Sequence, residues 1–319
     1  ISAYFKEGNG ARWQSQVEQE GARWEDFLYF EGNANAFRLL THQFQGRRVG
    51  GFALTCSTVA SIIKYPYSSL LARGKSKFGF FETEEETMRI VAEELGLMQV
   101  SDSPLCYVRH PLVYLVEAAD DICYQIMDIE DAYKLHILSF DEARDLLEAF
   151  FTEEELRGIR RVASSIGDPN ERIGYLRSKV INLLVEEAAS VFLDSEEDIL
   201  RGCYTGTLVQ HLSPRSYEAY RVCSEVAHER IYSAHGVVDV ELAGHRIFSA
   251  LLDRLIEAQL HPEHLYSRTL LSRVSSQYDT SSPTLYGKIQ CALDYISGMT
   301  DIYALDLYRT ITGMNLPAV

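Results

Sequence analysis

Apolar residues recur at intervals of three and four along most of this chain, and that helical period constrains the fold more than any other feature. Alternating strand patterns are scarce, although a short hairpin is expected near 78–81 or 231–240. The sequence therefore predicts an all-α fold, with helices over 33–44, 55–64, 83–95, 111–128, 140–148, 152–164, 170–191, 195–202, 214–232, 237–259, 261–276, 283–297 and 299–313.

Several of these helices begin with a residue that caps free backbone N–H groups. The predicted N-terminal caps are Asp141, Thr152, Asp168 and Ser213. Pro214 follows the last of them and suits the first helical position. A soft boundary near residue 150 divides the chain into two predicted domains, 1–150 and 151–319.

Charge and composition bound the classes of function. The 319 residues carry a formal net charge of −16, which argues against broad non-specific binding of nucleic acid. The acidic balance still allows a local basic pocket for a phosphorylated small molecule. No apolar run reaches the length of a membrane span, the first residues show no signal-peptide pattern, and the six cysteines lack metal-site spacing. We therefore expect a cytoplasmic protein with free thiols.

A strip of polar residues in the stretch 109–133 is the first candidate site. Asp120, Tyr124 and Asp128 stand at i, i+4 and i+8, so a helix stacks two carboxylates and a phenol along one face. A carboxylate there is a natural ligand for a hard metal, a Tyr can stack on a sugar or base, and a second Asp can hold a hydroxyl. The alternative is the ordinary polar face of an amphipathic helix. The opposite face is predicted to be an apolar stripe of Leu112, Leu115, Val116, Ala119, Ile122, Cys123 and Ile126.

Two further segments have the chemistry of anion binding. In the segment 29–42, Asn33 lies near a predicted helix start, where free N–H groups favour a phosphate, and Arg38 can add a charge-assisted bond. Lys64 closes an apolar helix, and Lys77 ends the basic cluster of 73–77. Both ammonium groups suit a phosphate. The alternatives are a routinely capped helix and a lysine that only offsets the helix dipole.

Other common catalytic patterns are missing from the sequence. It contains no strand followed by a glycine-rich loop and a helix, no H-E-x-x-H, no adjacent His-Asp pair and no G-x-S-x-G. The segment His261–His264 contains a proline and indicates a loop more than a metal site. The tyrosines and aspartates of 294–314 are typical of two packed helices whose hydroxyl groups bond locally.

Taken in order, the segments FEGNANAFRLLT, KYPYSS, KFGFF, RHPLVYLVEAADDICY and DYISGMTDIYALDLYR resemble the deoxyguanosine triphosphate triphosphohydrolases, which are HD-superfamily phosphohydrolases. The resemblance spans nearly the whole chain. It implies an HD-like helical bundle, with 1–150 as the C-terminal part of the HD domain and 151–319 as the associated helical domain. It also implies hydrolysis of a deoxynucleoside triphosphate, dGTP in particular, to the deoxynucleoside and tripolyphosphate.

The resemblance assigns roles to the candidate residues. Asp120 matches a metal-binding Asp, Tyr124 the Tyr that packs on deoxyribose and disfavours a 2′-hydroxyl, and Asp128 the Asp that binds the 3′-hydroxyl. The triphosphate-binding positions are matched by Asn33, Lys64 and Lys77. A divalent metal is implied (Mg²⁺, Mn²⁺ or another transition metal), as are a homo-oligomer and, in some members, single-stranded DNA or a regulatory nucleotide as partner.

One departure from the family pattern is large. The family's first metal-binding His, its His-Asp pair and its acid–base residues would stand upstream of Ile1, so the chain holds one of four expected metal ligands. Omission of an upstream part is the preferred interpretation, and an inactive remnant is the other. Two further hypotheses remain open beside the hydrolase: a non-catalytic deoxynucleotide-binding or regulatory homologue, and a helical interaction protein with no nucleotide site.

Overall fold

The computed structural model describes residues 1–314 and confirms the all-α class. Over these residues the chain forms sixteen α-helices and one two-stranded hairpin. The helices are α1 Ser2–Lys6, α2 Gln14–Gln19, α3 Glu25–Leu28, α4 Gly32–Thr41, α5 Cys56–Ser61, α6 Glu85–Leu95, α7 Leu112–Lys134, α8 Phe140–Glu148, α9 Glu153–Ala163, α10 Pro169–Asp194, α11 Glu196–Leu200, α12 Pro214–Val226, α13 His235–Leu260, α14 Leu265–Leu271, α15 Leu285–Ser297 and α16 Asp301–Thr312. The strands are β1 Gln99–Asp102 and β2 Leu105–Tyr107, and they pair antiparallel.

The caps confirm most of the predicted helix starts. Thr152 and Ser213 cap α9 and α12, and Asp168 accepts hydrogen bonds from two backbone N–H groups of α10. The predicted cap Asp141 is wrong, because Ser139 caps α8. The hairpin was expected at 78–81 or 231–240, and both positions are wrong; α13 begins inside the second of these ranges. β1 is four residues long and largely exposed, and β2 has three residues, so neither is long enough to give a clear alternating pattern in the sequence.

The contacts group the chain into two compact units. One comprises Ile1–Arg109 together with the chain from Glu241 onward, and the other comprises His110–Val240. These bounds differ from the predicted domains 1–150 and 151–319, which are family domains and stay a prediction. No helix in the described part of the chain is long and apolar enough to cross a membrane.

The 110–240 unit is built on the packing of α7 against α10. The buried side chains of α10 recur at helical spacing and meet a row of isoleucines on α7. Helices α8 and α12 pack against the same pair. The rows are Ile173, Leu176, Val180 and Leu184 on α10 and Ile122, Ile126 and Ile129 on α7. This packing fixes one face of α7, and the polar strip lies on its exposed face.

The predicted apolar stripe of α7 is largely wrong. Of its members only Ile122 and Ile126 are buried, while Leu112 and Val116 are each 42% exposed. The buried face instead includes polar side chains, among them Glu130, which pairs with Arg177 and with Lys134 at 2.8 Å. Because Glu130 is paired with two cations, it can lie on the buried face of α7, although a pattern of apolar residues would place it on the surface. The buried positions of α7 are Val113, Tyr114, Glu117, Ala118, Ile122, Gln125, Ile126, Ile129, Glu130 and Ala132.

The other unit has an aromatic core and a buried ionic centre. Phe5, Phe27 and Tyr286 pack together, with Phe27 and Tyr286 ring centroids 4.8 Å apart. Arg38 of α4 donates two hydrogen bonds to the Asp294 carboxylate of α15, at 2.8 and 2.7 Å. This bidentate pair joins helices that are 256 residues apart in sequence.

Candidate functional site

The polar strip of α7 forms as the sequence predicts. Asp120, Tyr124 and Asp128 all lie within this one helix and follow one another turn by turn on its surface. Asp120 is exposed, the Tyr124 side chain is exposed to 68%, and Asp128 is half-buried. The strip therefore presents a carboxylate and an aromatic ring that are both open to a ligand.

Asp128 has a partner that the sequence did not indicate. The Tyr232 hydroxyl donates to Asp128 Oδ2 at 2.6 Å, and this hydrogen bond raises the pKa of Tyr232 to about 12. Tyr232 follows the π-helical turn Ala227–Ile231 that extends α12. The bond fixes one carboxylate oxygen and leaves Asp128 Oδ1 for another donor. The two residues are 104 positions apart, so no local pattern pairs them.

Two of the predicted triphosphate residues meet at a single carboxylate. Lys77 Nζ lies 2.8 Å from Glu31 Oε1. The Asn33 backbone N–H and its Nδ2 donate to Glu31 Oε2 at 2.6 and 2.8 Å. Glu31 is therefore the N-terminal cap of α4, whereas the helix was predicted to begin at residue 33. Sequence reasoning missed Glu31, because glutamate is not among the residues that commonly cap helix N-termini.

The backbone around this carboxylate is anchored by a small core. Ala34 directly follows Asn33, Phe78 directly follows Lys77, and both are fully buried in one cluster with Phe81. The start of α4 and the loop 73–77 are thereby held against each other. The geometry brings an amide and an ammonium group together from segments that are far apart in sequence.

The remaining predicted residues have different surroundings. Lys64 is half-buried three residues past the end of α5, and its carbonyl oxygen accepts from Arg109 Nε at 2.9 Å. Arg38 was expected to add a bond to a phosphate, and that expectation is wrong. Its guanidinium is buried and bound to Asp294 and to Glu84, the latter at 2.6 Å. Burial alone would lower the pKa of Arg38, but the two carboxylates raise it above its usual value.

Asp120 is the only predicted metal ligand in the chain, and no described residue hydrogen-bonds to its carboxylate. Within residues 1–314, no three or more His, Cys, Asp or Glu side chains come together in a group that could hold a metal ion. The described residues therefore do not fit a metal held by protein groups alone. A single carboxylate does suit Mg²⁺ that arrives with the phosphates of a substrate.

The six predicted residues are divided between the two units. Asp120, Tyr124 and Asp128 belong to the 110–240 unit, and Asn33, Lys64 and Lys77 belong to the other.

Comparisons with known proteins agree on one family. The model of the phosphohydrolase-associated domain matches residues 211–310. A deoxyguanosinetriphosphate triphosphohydrolase-like protein of Synechocystis sp. is 36% identical, over 96% of this chain and 71% of the relative. A protein of the same description from Pseudomonas aeruginosa is 31% identical, over 100% of this chain and 73% of the relative. The deoxyguanosinetriphosphate triphosphohydrolase of Yersinia enterocolitica is 27% identical, over 90% and 64%. On this evidence the chain belongs to the deoxyguanosinetriphosphate triphosphohydrolase-like family.

Proposed function

We propose that this protein hydrolyses deoxynucleoside triphosphates, dGTP by preference, to the deoxynucleoside and tripolyphosphate. The observation that carries the proposal is the meeting of Asn33 and Lys77 at the start of α4, because both are positions that the family resemblance assigns to the triphosphate. Family membership supports the same reaction class.

The triphosphate end of the substrate is assigned to Asn33, Lys64 and Lys77. A leaving tripolyphosphate carries a large negative charge, and ammonium groups that are already in place stabilise that charge as it develops. The Asn33 amide adds a directed hydrogen bond. The Lys77 side chain is 48% exposed, so its ammonium group is accessible while it is bound to Glu31.

The sugar end is assigned to Tyr124 and Asp128. The exposed Tyr124 ring can lie against the deoxyribose, where a 2′-hydroxyl would collide with it. Asp128 Oδ1 accepts a hydrogen bond from the 3′-hydroxyl, while Oδ2 stays bound to Tyr232. The two contacts together select a sugar with a 3′-hydroxyl and no 2′-hydroxyl.

A divalent cation, Mg²⁺ or Mn²⁺, belongs to the proposal through the family resemblance, and Asp120 is its proposed ligand in this chain. When bound, such an ion polarises a phosphoryl group. No catalytic step is assigned to it, because the described residues supply one carboxylate. A homo-oligomer, a cytoplasmic location, and regulation by a nucleotide or by single-stranded DNA are further parts of the proposal that rest on the resemblance.

The test compares Asp120→Asn with Asp131→Asn, an exposed aspartate of the same helix, in assays of dGTP turnover and dGTP binding. We expect Asp120→Asn to lower the turnover rate by roughly a hundredfold or more and Asp131→Asn to leave it unchanged. Full turnover and full metal content in Asp120→Asn would contradict the metal assignment. Saturable dGTP binding by the wild-type protein without turnover would favour the non-catalytic homologue.

A further inference from the structure

The carboxylate of Glu31 is nearly buried, with the residue 6% exposed, and it is shared between two segments of the chain. Oε2 accepts from Asn33, and Oε1 accepts from Lys77, which is 46 positions away in sequence. Burying a carboxylate is costly unless it is paired and hydrogen-bonded, and the contacts with Lys77 and Asn33 supply both for Glu31.

Glu31 does more than cap a helix. Ser139 on α8 and Thr152 on α9 are hydroxyl caps that bond only to groups of their own helix starts, whereas Ser213 on α12 also donates to Glu187 of α10. Glu31 uses one oxygen in the same way and reaches a cation on another segment with the second. A shorter cap would satisfy α4 equally well, so the longer side chain has a second role.

That second role concerns the placement of Lys77. A lysine side chain is flexible and loses rotamer entropy when it is fixed. The bond to Glu31 fixes it before any ligand arrives and uses one of the three ammonium donors. The other two donors remain for an anion on the exposed side.

We infer that Glu31 is a positioning residue for the triphosphate, which holds the Asn33 amide and the Lys77 ammonium group in fixed places; this inference rests on the proposed function. The positioning role and simple electrostatic repulsion by Glu31 predict opposite changes in triphosphate binding when the contact with Lys77 is lost. A carboxylate that merely stood near a triphosphate would repel it, so removing its contact with Lys77 would strengthen binding. A carboxylate that positions Lys77 strengthens binding of the same anion.

The variant Glu31→Asp tests this role, because it keeps the negative charge and a strong helix cap but is one methylene too short to hold Lys77. Binding of inorganic tripolyphosphate is measured by calorimetry for wild type, Glu31→Asp, Lys77→Met and the double variant. We expect Glu31→Asp to bind roughly tenfold more weakly, with little further loss when it is added to Lys77→Met. The KM for dGTP should rise by a similar factor while kcat changes little.

Glu142→Asp is the matched control, since Glu142 also bonds to a helix N-terminal residue, and it should leave tripolyphosphate binding unchanged. Equal or tighter binding by Glu31→Asp would overturn the positioning role, as would a loss that persists in full in the Lys77→Met background. Either result would leave the proposed function intact. Failure of the wild-type protein to bind tripolyphosphate would overturn the proposed function and this inference together.

Discussion

The hydroxyl group of Tyr232 donates to Asp128 at 2.6 Å and thereby fixes the carboxylate that we assign to the 3′-hydroxyl of the substrate. Tyr232 is itself 45% exposed, so the bond forms at an accessible surface where a ligand can reach the second oxygen. The strip on α7 is thus supported from the end of α12 as well as by its own helix.

The first prediction concerns this bond. Tyr232→Phe removes the donor but keeps the ring, so Asp128 is free to turn and binds the 3′-hydroxyl less well. We expect kcat/KM for dGTP to fall by about fivefold to tenfold, with little change in melting temperature, because one hydrogen bond to a charged group is lost at a partly exposed site. Tyr217→Phe, at a tyrosine of α12 that is 39% exposed, is the control and should behave as wild type.

The second prediction concerns the choice between deoxyribose and ribose. If the Tyr124 ring lies against C2′, Tyr124→Ala removes the collision and raises the rate with GTP relative to dGTP. Tyr124→Phe keeps the ring and should keep the preference for dGTP. The measurement is the ratio of kcat/KM for the two nucleotides. An unchanged ratio in Tyr124→Ala would remove Tyr124 from the sugar assignment.

The order of the helices could be predicted from the sequence because apolar spacing and caps are local signals. The buried face of α7 could not, because Glu130 is buried only through its ion pairs with Arg177 and Lys134, and Arg177 comes from α10. A pattern of apolar residues places such a glutamate on the surface. The prediction of the polar strip did not depend on which face of α7 is buried, since Asp120, Tyr124 and Asp128 share a face by helix geometry alone.

The sequence and the resemblance named the candidate residues but did not indicate the contacts that those residues make. Asn33 and Lys77 came from the resemblance, whereas their common partner Glu31 depends on how α4 and the loop 73–77 pack. Tyr232 was missed for the same reason, because its bond to Asp128 is a long-range contact. Arg38 was misassigned because a local reading could not see Asp294 on α15.

The third prediction concerns the stability of the ionic centre. Asp294→Ala leaves the buried Arg38 with an incomplete set of carboxylates, and we expect the free energy of unfolding to fall by about 3 kcal/mol or more. Asp306→Ala breaks an exposed contact 4.0 Å from Arg309 and should cost less than about 0.5 kcal/mol. Urea unfolding of both variants checks the difference. Equal, small losses of unfolding free energy in Asp294→Ala and Asp306→Ala would show that the Arg38–Asp294 pair does not stabilise the fold.

The fourth prediction is a dependence of stability on pH. Burial raises the pKa of Asp26 to about 7, despite hydrogen bonds from Ser69 and Tyr286. The folded protein therefore holds this proton more tightly than the unfolded chain, whose Asp titrates near 4. The stabilising contribution is full below about pH 4 and is lost as pH rises through about 7.

Asp26→Asn removes that titration. The difference in melting temperature between wild type and Asp26→Asn should therefore shift in favour of the variant as pH rises from about 4 to about 7. Comparison with the variant isolates Asp26 from the other carboxylates that titrate in the same range. A difference that stays constant with pH would contradict the raised pKa.

The central claim is the reaction itself, and the most direct measurement is phosphorus NMR of the products that form from dGTP in the presence of Mg²⁺ or Mn²⁺. We expect inorganic tripolyphosphate as the single phosphorus-containing product, with its rate of formation by Asp120→Asn lowered by roughly a hundredfold or more. Release of pyrophosphate with dGMP, or of orthophosphate with dGDP, would contradict it.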